Sequence, residues 1–357
     1  MQYRAPLDGL RALCAGAVFF FHASYGRGGG FIGVDVFFVL SGYLITRILL
    51  EDINQTGTVR LGRFYARRAR RLLPAVFVAL ALALALWRWV GHGERFVAIL
   101  PPVLLYYVNW LQAFGHAIQA LPHFWSLSTE EQFYLLWPLA LSELFRLGHR
   151  SVAVVIGCLI LAFATARALA PDRGPVVAAL FGYYSTFARA DELLVGALLA
   201  VLHGSPHLRT REATARAARL LVWPAAVGLV ACLIWARVYG DWLLRGGFTG
   251  IAAASGMIVV HCASGESTLL NRFLQTPALV AIGRRAYGIY VFHYPIIHAL
   301  EPLRGHGAAN WVIVTALRAA ATLAVSWASY NLIESRFLAP RALQATTRFP
   351  AASGAIE

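Results

Sequence analysis

The feature that most constrains this chain is a succession of long, almost uninterrupted apolar runs joined by short polar segments. A helix needs about 20 apolar residues to cross the hydrocarbon core of a bilayer, and most of the runs approach that length. The runs are continuous and do not alternate between apolar and polar residues, which excludes a transmembrane sheet. They lie at about residues 10–24, 31–50, 72–90, 96–113, 125–145, 152–170, 184–203, 219–238, 246–263, 279–299 and 310–333.

The composition agrees with a chain whose solvent is lipid. Hydrophobic residues make up 59% and charged residues 13% of the 357 residues, whereas about 25% of a typical soluble domain is charged. The sequence therefore predicts an all-α integral membrane protein and excludes a disordered chain. Asp8 and Arg11 interrupt the first run and a second run follows closely, so we expect an uncleaved first helix rather than a signal peptide.

The positive charge of the chain has a simple explanation in a membrane protein. The net charge is +14, and every basic residue apart from histidine is arginine. In a soluble protein such a charge would favour nucleic acid binding, but cytoplasmic loops of membrane proteins accumulate basic residues. No nucleic acid partner is therefore predicted. The four cysteines lie in apolar runs without the spacing of metal ligands, so no metal site is predicted either.

Loop charge predicts the topology. The arginines within residues 60–71 and 204–218 mark both loops as cytoplasmic. Two loops on the same side must be separated by an even number of crossings, yet five apolar runs lie between them. Two prolines and Asn109 interrupt the run at 96–113, so we predict that this run is a re-entrant or interfacial segment.

About ten membrane-spanning helices and two cytoplasmic termini follow from this assignment. We expect residues 1–339 to form one membrane domain and residues 340–357 to form a short cytoplasmic tail.

Ionisable residues inside the spans are costly and are commonly functional. Arg11 and His22 are eleven residues apart on the first span, which places them on one helical face. Asp35 begins the second span across a glycine-rich turn, where its carboxylate is predicted to orient His22. The alternative for Asp35 is an acidic residue that complements the dipole at a helix N-terminus. Further polar residues on the outer side or at the midplane are Glu130, Gln132, Arg189, Asp191 and His293, of which Arg189 and Asp191 could instead form a buried ion pair.

A second set of ionisable residues lies on the cytoplasmic side. Arg67 and Arg70 are three residues apart, as are Arg68 and Arg71, so each pair shares one helical face. Paired guanidinium groups bind phosphates well, although ordinary loop charge or contact with anionic lipid would explain the same cluster. The two sets together predict a polyanion bound from the cytoplasm and chemistry within the membrane.

Six motifs in a fixed order resemble acyltransferase family 3, the integral-membrane acyltransferases that O-acylate cell-surface carbohydrates. The segment Trp125–Tyr134 is the most specific of them. The six motifs are Arg11 with His22, Phe31–Gly42, Arg67-x-x-Arg70, Trp125–Tyr134, Arg189-x-Asp-Glu-Leu193, and Tyr287–His293 followed by Ile333-Glu334. Ten spans with both termini inside is also the topology that the resemblance implies.

The resemblance implies a bacterial inner membrane protein that takes an acyl group, usually acetyl, from cytoplasmic acyl-CoA. It implies that His22 and Arg11 are required for transfer, and it suits binding of the CoA phosphates by Arg67, Arg70 and Arg71. Some members carry a fused hydrolase-like SGNH domain outside the membrane, which is not expected here. The acceptor would be a carbohydrate of the cell envelope in lipid-linked form. Membrane lipids would surround the protein.

We expect His22, oriented by Asp35, to act as general base on the acceptor hydroxyl. Glu130 is expected to join Arg11 in catalysis. The acceptor or the developing oxyanion would be bound by Gln132, Arg189, Asp191 and His293.

Several alternatives stay open at this level. His22 could form a covalent acyl intermediate instead of acting as a base. The acceptor could be a small secreted metabolite. A transporter of acyl groups or glycolipids, without transfer chemistry, would also place charges inside a membrane, and a non-catalytic scaffold would tolerate loss of either Arg11 or His22.

Overall fold

The computed structural model describes residues 3–89, 98–118 and 121–338. The predicted tail at 340–357 lies outside these residues. Within them the chain forms helices, turns and loops without a β-strand, as the sequence predicts for an all-α membrane protein. Ten helices in these ranges have 14 residues or more, and we number them α1 (Ala5–Ala23), α2 (Gly33–Thr56), α3 (Leu61–Trp89), α4 (Phe124–Phe145), α5 (His149–Leu169), α6 (Thr186–His203), α7 (Leu208–Trp235), α8 (Phe248–Ser264), α9 (Ala286–Ala299) and α10 (Ala308–Ser329).

Six segments in the described ranges are both long and apolar enough to cross a membrane. They contain α2, α3, α5, α7, α8 and α10, and their mean hydropathy is 1.5 to 2.3. The other long helices are α1, α4, α6 and α9, which carry most of the ionisable residues singled out in the sequence. A multi-pass membrane protein is thus evident, and the total of ten spans stays a prediction.

Contacts between helix ends define two faces of the bundle. On one face, the backbone N–H of Gly29 in the α1–α2 turn donates to the carbonyl of Leu233 in α7, and Tyr25 reaches Glu301 after α9. On the opposite face, Arg4 lies against Gly265, which follows α8. We call the first the outer face and the second the inner face, following the predicted orientation.

The segment predicted not to cross the membrane contains no long helix. Its described residues form two short helices, Leu100–Leu104 and Val108–Ala113. At 1.5 Å per residue each is under about 10 Å long, far less than the bilayer core. The segment is anchored by Gln132 of α4, whose Nε2 donates to the carbonyl of Tyr106 at 2.7 Å and to Oδ1 of Asn109 at 3.0 Å.

Helix α2 lies at the centre of the bundle and contributes buried residues to three separate apolar clusters. Its most extensive packing is against α6. Glycine permits the close approach: a Cβ on Gly42 would lie 1.9 Å from the carbonyl oxygen of Leu193, and one on Gly196 would lie 2.0 Å from that of Val39. Small residues of this kind allow close backbone packing between helices in lipid.

Candidate active site

A cavity of about 440 Å³ lies toward the inner face. Arginines dominate its charge, and Glu130 reaches its deep part, where Oγ of Ser41 donates to the Glu130 carboxylate at 2.8 Å. The arginines that line it are Arg4, Arg11, Arg68, Arg71 and Arg284. A smaller space of about 240 Å³ adjoins it, shares three of these arginines and adds Arg285. The inner cavity is therefore suited to a large anion.

Not all of these arginines are free to bind an anion. Arg11 donates to Asp8 at 2.8 Å. Arg68 is committed to Glu131, with Nε donating to Oε2 at 2.9 Å, and its guanidinium lies 3.3 Å from the ring centroid of Tyr134. For Arg4 and Arg71 no ion pair occurs among the residues that the structure describes. These two line the inner cavity without a carboxylate of the described residues in ion-pair contact, although Asp8 and Glu334 line the adjoining space with Arg71.

The arginine pair Arg67 and Arg70 does not take the place predicted for it. Both side chains are exposed and line none of these cavities, and Nε of Arg70 donates to the carbonyl of Ala66 at 3.1 Å. Arg68 and Arg71, one residue further along the same helix, face the inner cavity. The two pairs have identical spacing, so the sequence did not reveal which of them points inward. Of the three predicted phosphate ligands, only Arg71 lines the cavity.

A second cavity, of about 1050 Å³, lies toward the outer face. His22 lines it, as do the aromatic residues Trp125, Tyr183, Tyr184 and Tyr294. Arg11 lines the inner cavity only, so the two ends of the predicted Arg11–His22 face open into different cavities.

The two cavities meet at Val34 and Tyr290, which line both. The phenol of Tyr290 donates to the carbonyl of His123 at 3.0 Å and is hydrogen-bonded to Ser126. Ser126 lines the inner cavity and His123 the outer cavity. Tyr290 is thus part of a thin partition between a basic inner space and an aromatic outer space.

Two histidines lie next to this partition on the outer side. Nδ1 of His22 lies 3.0 Å from the carbonyl oxygen of Val18 and 3.0 Å from Nε2 of His293. Nδ1 of His293 is bonded to the carbonyl oxygen of Tyr290. A carbonyl oxygen can only accept, so both Nδ1 atoms carry the proton. His293 then accepts at Nε2 from His22, and Nε2 of His22 keeps its lone pair.

This arrangement gives His293 the role that the sequence assigned to Asp35. A hydrogen bond to one ring nitrogen fixes the tautomer and the reactivity of the other. No hydrogen bond between Asp35 and His22 is present in the described part of the chain; the Asp35 carboxylate lies 2.9 Å from Arg189 instead. The predicted orienting contact was therefore wrong. His123 completes the cluster, with its ring centroid 4.9 Å from that of His293.

Asp35 and the two polar residues predicted on the sixth long helix belong to a buried ionic network. Arg189 pairs with Asp35 and with Glu192, each at 2.9 Å. Arg167 of α5 pairs with Asp191 at 2.6 Å. The five side chains are 0% exposed and line none of the cavities described above.

Gln132 is likewise engaged inside the protein. Besides its two donor contacts with Tyr106 and Asn109, its Oε1 accepts from Nε1 of Trp110 at 3.1 Å and from Thr186. The structure therefore places Gln132, Arg189 and Asp191 away from both cavities and brings only His293, among the predicted acceptor-binding residues, to His22.

Sequence reasoning missed several residues of this region. Tyr290 lies three residues before His293, a spacing that places both on one helical face, but the partition could not be foreseen. Arg167 and Arg318 are single arginines inside apolar runs and could have been found by the same rule that identified Arg189. Within the described residues, no group of three His, Cys, Asp or Glu side chains is arranged to hold a metal ion.

Comparison with known proteins places the chain among membrane enzymes. A family model described as "Acyltransferase domain" matches residues 4–331. The chain is 33% identical to a putative peptidoglycan O-acetyltransferase, YrhL, of Bacillus subtilis, over 93% of this chain and 54% of that protein.

Two further relatives carry similar names. Identity is 33% to the peptidoglycan O-acetyltransferase OatA of Listeria monocytogenes, over 94% of this chain and 56% of the relative. It is 31% to the O-acetyltransferase OatA of Staphylococcus aureus, over 83% and 51%. The chain spans about half the length of the curated relatives it matches. No solved structure matches it.

Proposed function

The chain belongs to the acyltransferase family defined by this domain, and on that premise we propose that it transfers an acetyl group from cytoplasmic acyl-CoA to a hydroxyl group of a cell-envelope carbohydrate. One observation carries the proposal: a basic inner cavity and an aromatic outer cavity meet at Tyr290, beside the His22–His293 pair. A donor and an acceptor that enter from opposite faces would meet there.

The inner cavity suits the donor because CoA carries a pyrophosphate and a 3′-phosphate. Arg4 and Arg71 form no direct ion pair among the described residues, which leaves their guanidinium groups available to phosphates. Guanidinium groups bind phosphate oxygens in a bidentate manner. In this proposal Arg71 binds the phosphates, without the Arg67 and Arg70 that were also predicted from the sequence. The pantetheine arm then extends past Glu130 toward Tyr290.

His22 would act through Nε2, the nitrogen that its hydrogen bonds leave unprotonated. The acceptor hydroxyl gives its proton to Nε2 while its oxygen attacks the thioester carbonyl. Collapse of the tetrahedral intermediate breaks the C–S bond, and the imidazolium returns the proton to the CoA thiolate. A positioned base of this kind contributes about 10²–10⁴-fold to a rate.

The covalent route uses the same nitrogen. Nε2 attacks the thioester, CoA leaves, and the acceptor hydroxyl then attacks the acyl-imidazole. In both routes the acyl group passes the partition formed by Tyr290 and Ser126, because the donor lies on one side of it and His22 on the other.

The outer cavity suits a carbohydrate because aromatic rings pack against the apolar faces of sugars. Trp125, Tyr183, Tyr184 and Tyr294 offer such rings. The names of two relatives, both peptidoglycan O-acetyltransferases, support a carbohydrate of the cell envelope as acceptor. We propose an envelope glycan in lipid-linked form as acceptor, in a bacterial inner membrane with both termini cytoplasmic.

The test uses purified protein in nanodiscs with acetyl-CoA labelled in the acetyl group. We expect release of free CoA thiol and transfer of label to crude envelope glycan, and loss of both in His22→Ala. His207→Ala, which removes an exposed histidine of the inner loop, is the matched control and should retain activity. Label that crosses the bilayer without thiol release would instead identify a transporter.

A further inference from the structure

The outer cavity carries a charge pattern that the reaction alone does not require. Arg27 follows α1 and Arg237 follows α7, and both line this cavity. No Asp or Glu lines it among the residues described. His22 and His123 are its other titratable groups besides tyrosines, so the only formal charges among its described lining residues are the two guanidinium groups.

Three other arginines on the outer half of the bundle are held by carboxylates, whereas the exposed Arg173, which lies away from the cavity, has no ion pair within the described ranges. Arg318 and Arg304 both pair with Glu301, at 2.6 Å and 3.4 Å. Arg245 lies 3.4 Å from Asp172. Neither Arg27 nor Arg237 has an ion pair within the described ranges. Asp241 follows Arg237 on the same loop but lines no part of the cavity.

Unpaired arginines on this face run against the usual bias of membrane proteins. Basic residues accumulate on the cytoplasmic side of a bilayer, so the topology gives no reason for arginines at the outer cavity. A cavity lined by one sign of charge attracts ligands of the opposite sign. The guanidinium group is suited to carboxylates and phosphates, which it can bind through two parallel hydrogen bonds.

Aromatic rings line the same cavity. Besides the rings already named, Tyr25, Trp235 and Tyr239 lie near its rim, next to the two arginines in sequence. Tyr25 has a left-handed backbone, with φ of 59°, and its hydroxyl donates to Glu301 at 2.8 Å. A cavity that combines sugar-binding rings with unpaired guanidinium groups is complementary to a carbohydrate that carries an anion.

We infer that the acceptor is an anionic carbohydrate, and that Arg27 and Arg237 bind its carboxylate or phosphate group. The inference rests on the proposed function, because only the proposed acyl transfer makes this cavity the acceptor site. The anion could belong to the sugar itself, as a carboxylate, or to a lipid carrier, as a pyrophosphate. Both present the same chemistry to a guanidinium group, so the experiment must separate them.

Three soluble probes built on one N-acetylglucosaminyl–N-acetylmuramyl tetrasaccharide make this separation. The first has free carboxylates, the second has methyl-esterified carboxyl groups, and the third is the methyl ester with a pyrophosphate at its reducing end. Binding to wild-type protein in nanodiscs is measured by the quenching of tryptophan fluorescence, for which Trp125 and Trp235 lie in the cavity.

We expect at least one anionic probe to bind about tenfold or more tightly than the neutral ester, as hydrogen bonds to charged groups allow. The double variant Arg27→Gln, Arg237→Gln should lose most of that difference and reduce its dependence on salt. The control Arg173→Gln, an exposed arginine on the outer side that does not line the cavity, should keep it. Preference for the free carboxylate would identify the sugar as the source of the anion, and preference for the pyrophosphate would identify the carrier.

Equal binding of all three probes, no binding of either anionic probe, or an anion preference that survives in the double variant would overturn the inference. Acetyl-CoA turnover is measured on the same preparation. Absence of thiol release with crude envelope glycan would contradict the proposed function, whereas thiol release with no anion preference would contradict the acceptor assignment alone.

Discussion

Two clusters of ionisable residues lie within the bundle, and they differ in what surrounds them. In the ionic network of Asp35, Arg189, Glu192, Arg167 and Asp191, the side chains are fully buried and paired with one another. In the His22–His293 pair, by contrast, His22 lines a large cavity, and its Nε2 has no hydrogen-bond partner within the described part of the chain. We call the first the closed cluster, because its charges pair with one another away from the cavities. We call the His22–His293 pair the open cluster, because His22 is accessible to a ligand in the outer cavity.

The largest effect that the comparison predicts is on catalysis at the open cluster. His22→Ala should lower the rate of acetyl transfer by about 10²–10⁴-fold, because it removes the positioned base, while the melting temperature stays close to wild type. The measurement is labelled-acetyl transfer together with thermal unfolding in detergent. A folded His22→Ala protein with wild-type transfer rates would remove the histidine pair from the mechanism.

Substitution in the closed cluster should lower the stability of the fold more than the catalytic rate. Arg189→Met leaves Asp35 and Glu192 as buried carboxylates without a counter-charge, which costs about 3–5 kcal/mol in comparable cases. We expect a strong loss of folded protein and a much lower melting temperature. The triple variant Arg189→Met, Asp35→Asn, Glu192→Gln should recover part of the stability, since no uncompensated charge remains. A stable but inactive Arg189→Met protein would show instead that this network takes part in the reaction.

Variants of His293 test whether this residue supports catalysis through His22 or only stabilises the fold. His293→Ala removes the acceptor for Nδ1 of His22 but leaves the bond to Val18, so we expect about a ten- to hundredfold loss in kcat with little change in KM for acyl-CoA. His293→Gln can still accept from His22 through its side-chain carbonyl and should recover part of the loss. Equal, complete inactivation of both variants with loss of fold would assign His293 a structural role.

The inner arginines should give a smaller effect, confined to donor binding. Arg71→Gln is expected to raise KM for acetyl-CoA by about tenfold and to leave kcat nearly unchanged, because it removes a charge-assisted contact to phosphate. Arg70→Gln is the matched control, since its side chain points away from the cavities. The reverse result would restore Arg67 and Arg70 as the phosphate ligands predicted from the sequence.

A third ionic group, half exposed at the outer rim, should show the smallest effect. Burial raises the pKa of the Glu301 carboxyl, but hydrogen bonds from Tyr25 and Arg318 outweigh it and hold that pKa below its usual value. A depressed pKa stabilises the fold above the unfolded value, about 4.3, and this stabilisation is lost as the pH falls through the lower folded value. The glutamine amide oxygen can still accept from the buried Arg318, so Glu301→Gln should cost about 1 kcal/mol at neutral pH, with the difference vanishing in acid.

Much of the fold followed from the sequence because the bilayer limits the choice of structure. Backbone groups in lipid must be satisfied within one segment, so long apolar runs become helices. The two short helices found in the described part of residues 96–113 agree with the re-entrant or interfacial segment predicted from its prolines and from loop charge, and its position in the membrane stays a prediction. The family followed from short motifs in the sequence. They lie on α1, α2, α3, α4, α6 and α9 and in the segment after α10.

The site was predicted less completely, because spacing alone does not give the rotation of a helix. Arg67 with Arg70 and Arg68 with Arg71 have the same periodicity. Only the packing of α3 against α9 and the pairing of Arg68 with Glu131 of α4 decide which pair faces inward. Asp35 is close to His22 along the chain, but the tight glycine contact between α2 and α6 brings it to Arg189. His293 is 271 residues from His22 in sequence and lies within hydrogen-bonding distance of it.

The sequence by itself determined the lipid environment, the helical class and the family, since each of these depends on local composition or on short spacings. The roles of Arg11 and His22 stay predictions. Only the tertiary structure decided which polar residues are paired and which are free. That decision depends on side chains from distant helices meeting in a medium of low polarity, where an unpaired charge is costly. The fully buried charges of the ionic network therefore have partners, and among the described residues Arg4, Arg71, Arg27 and Arg237 line the two cavities of the proposed site without an ion pair.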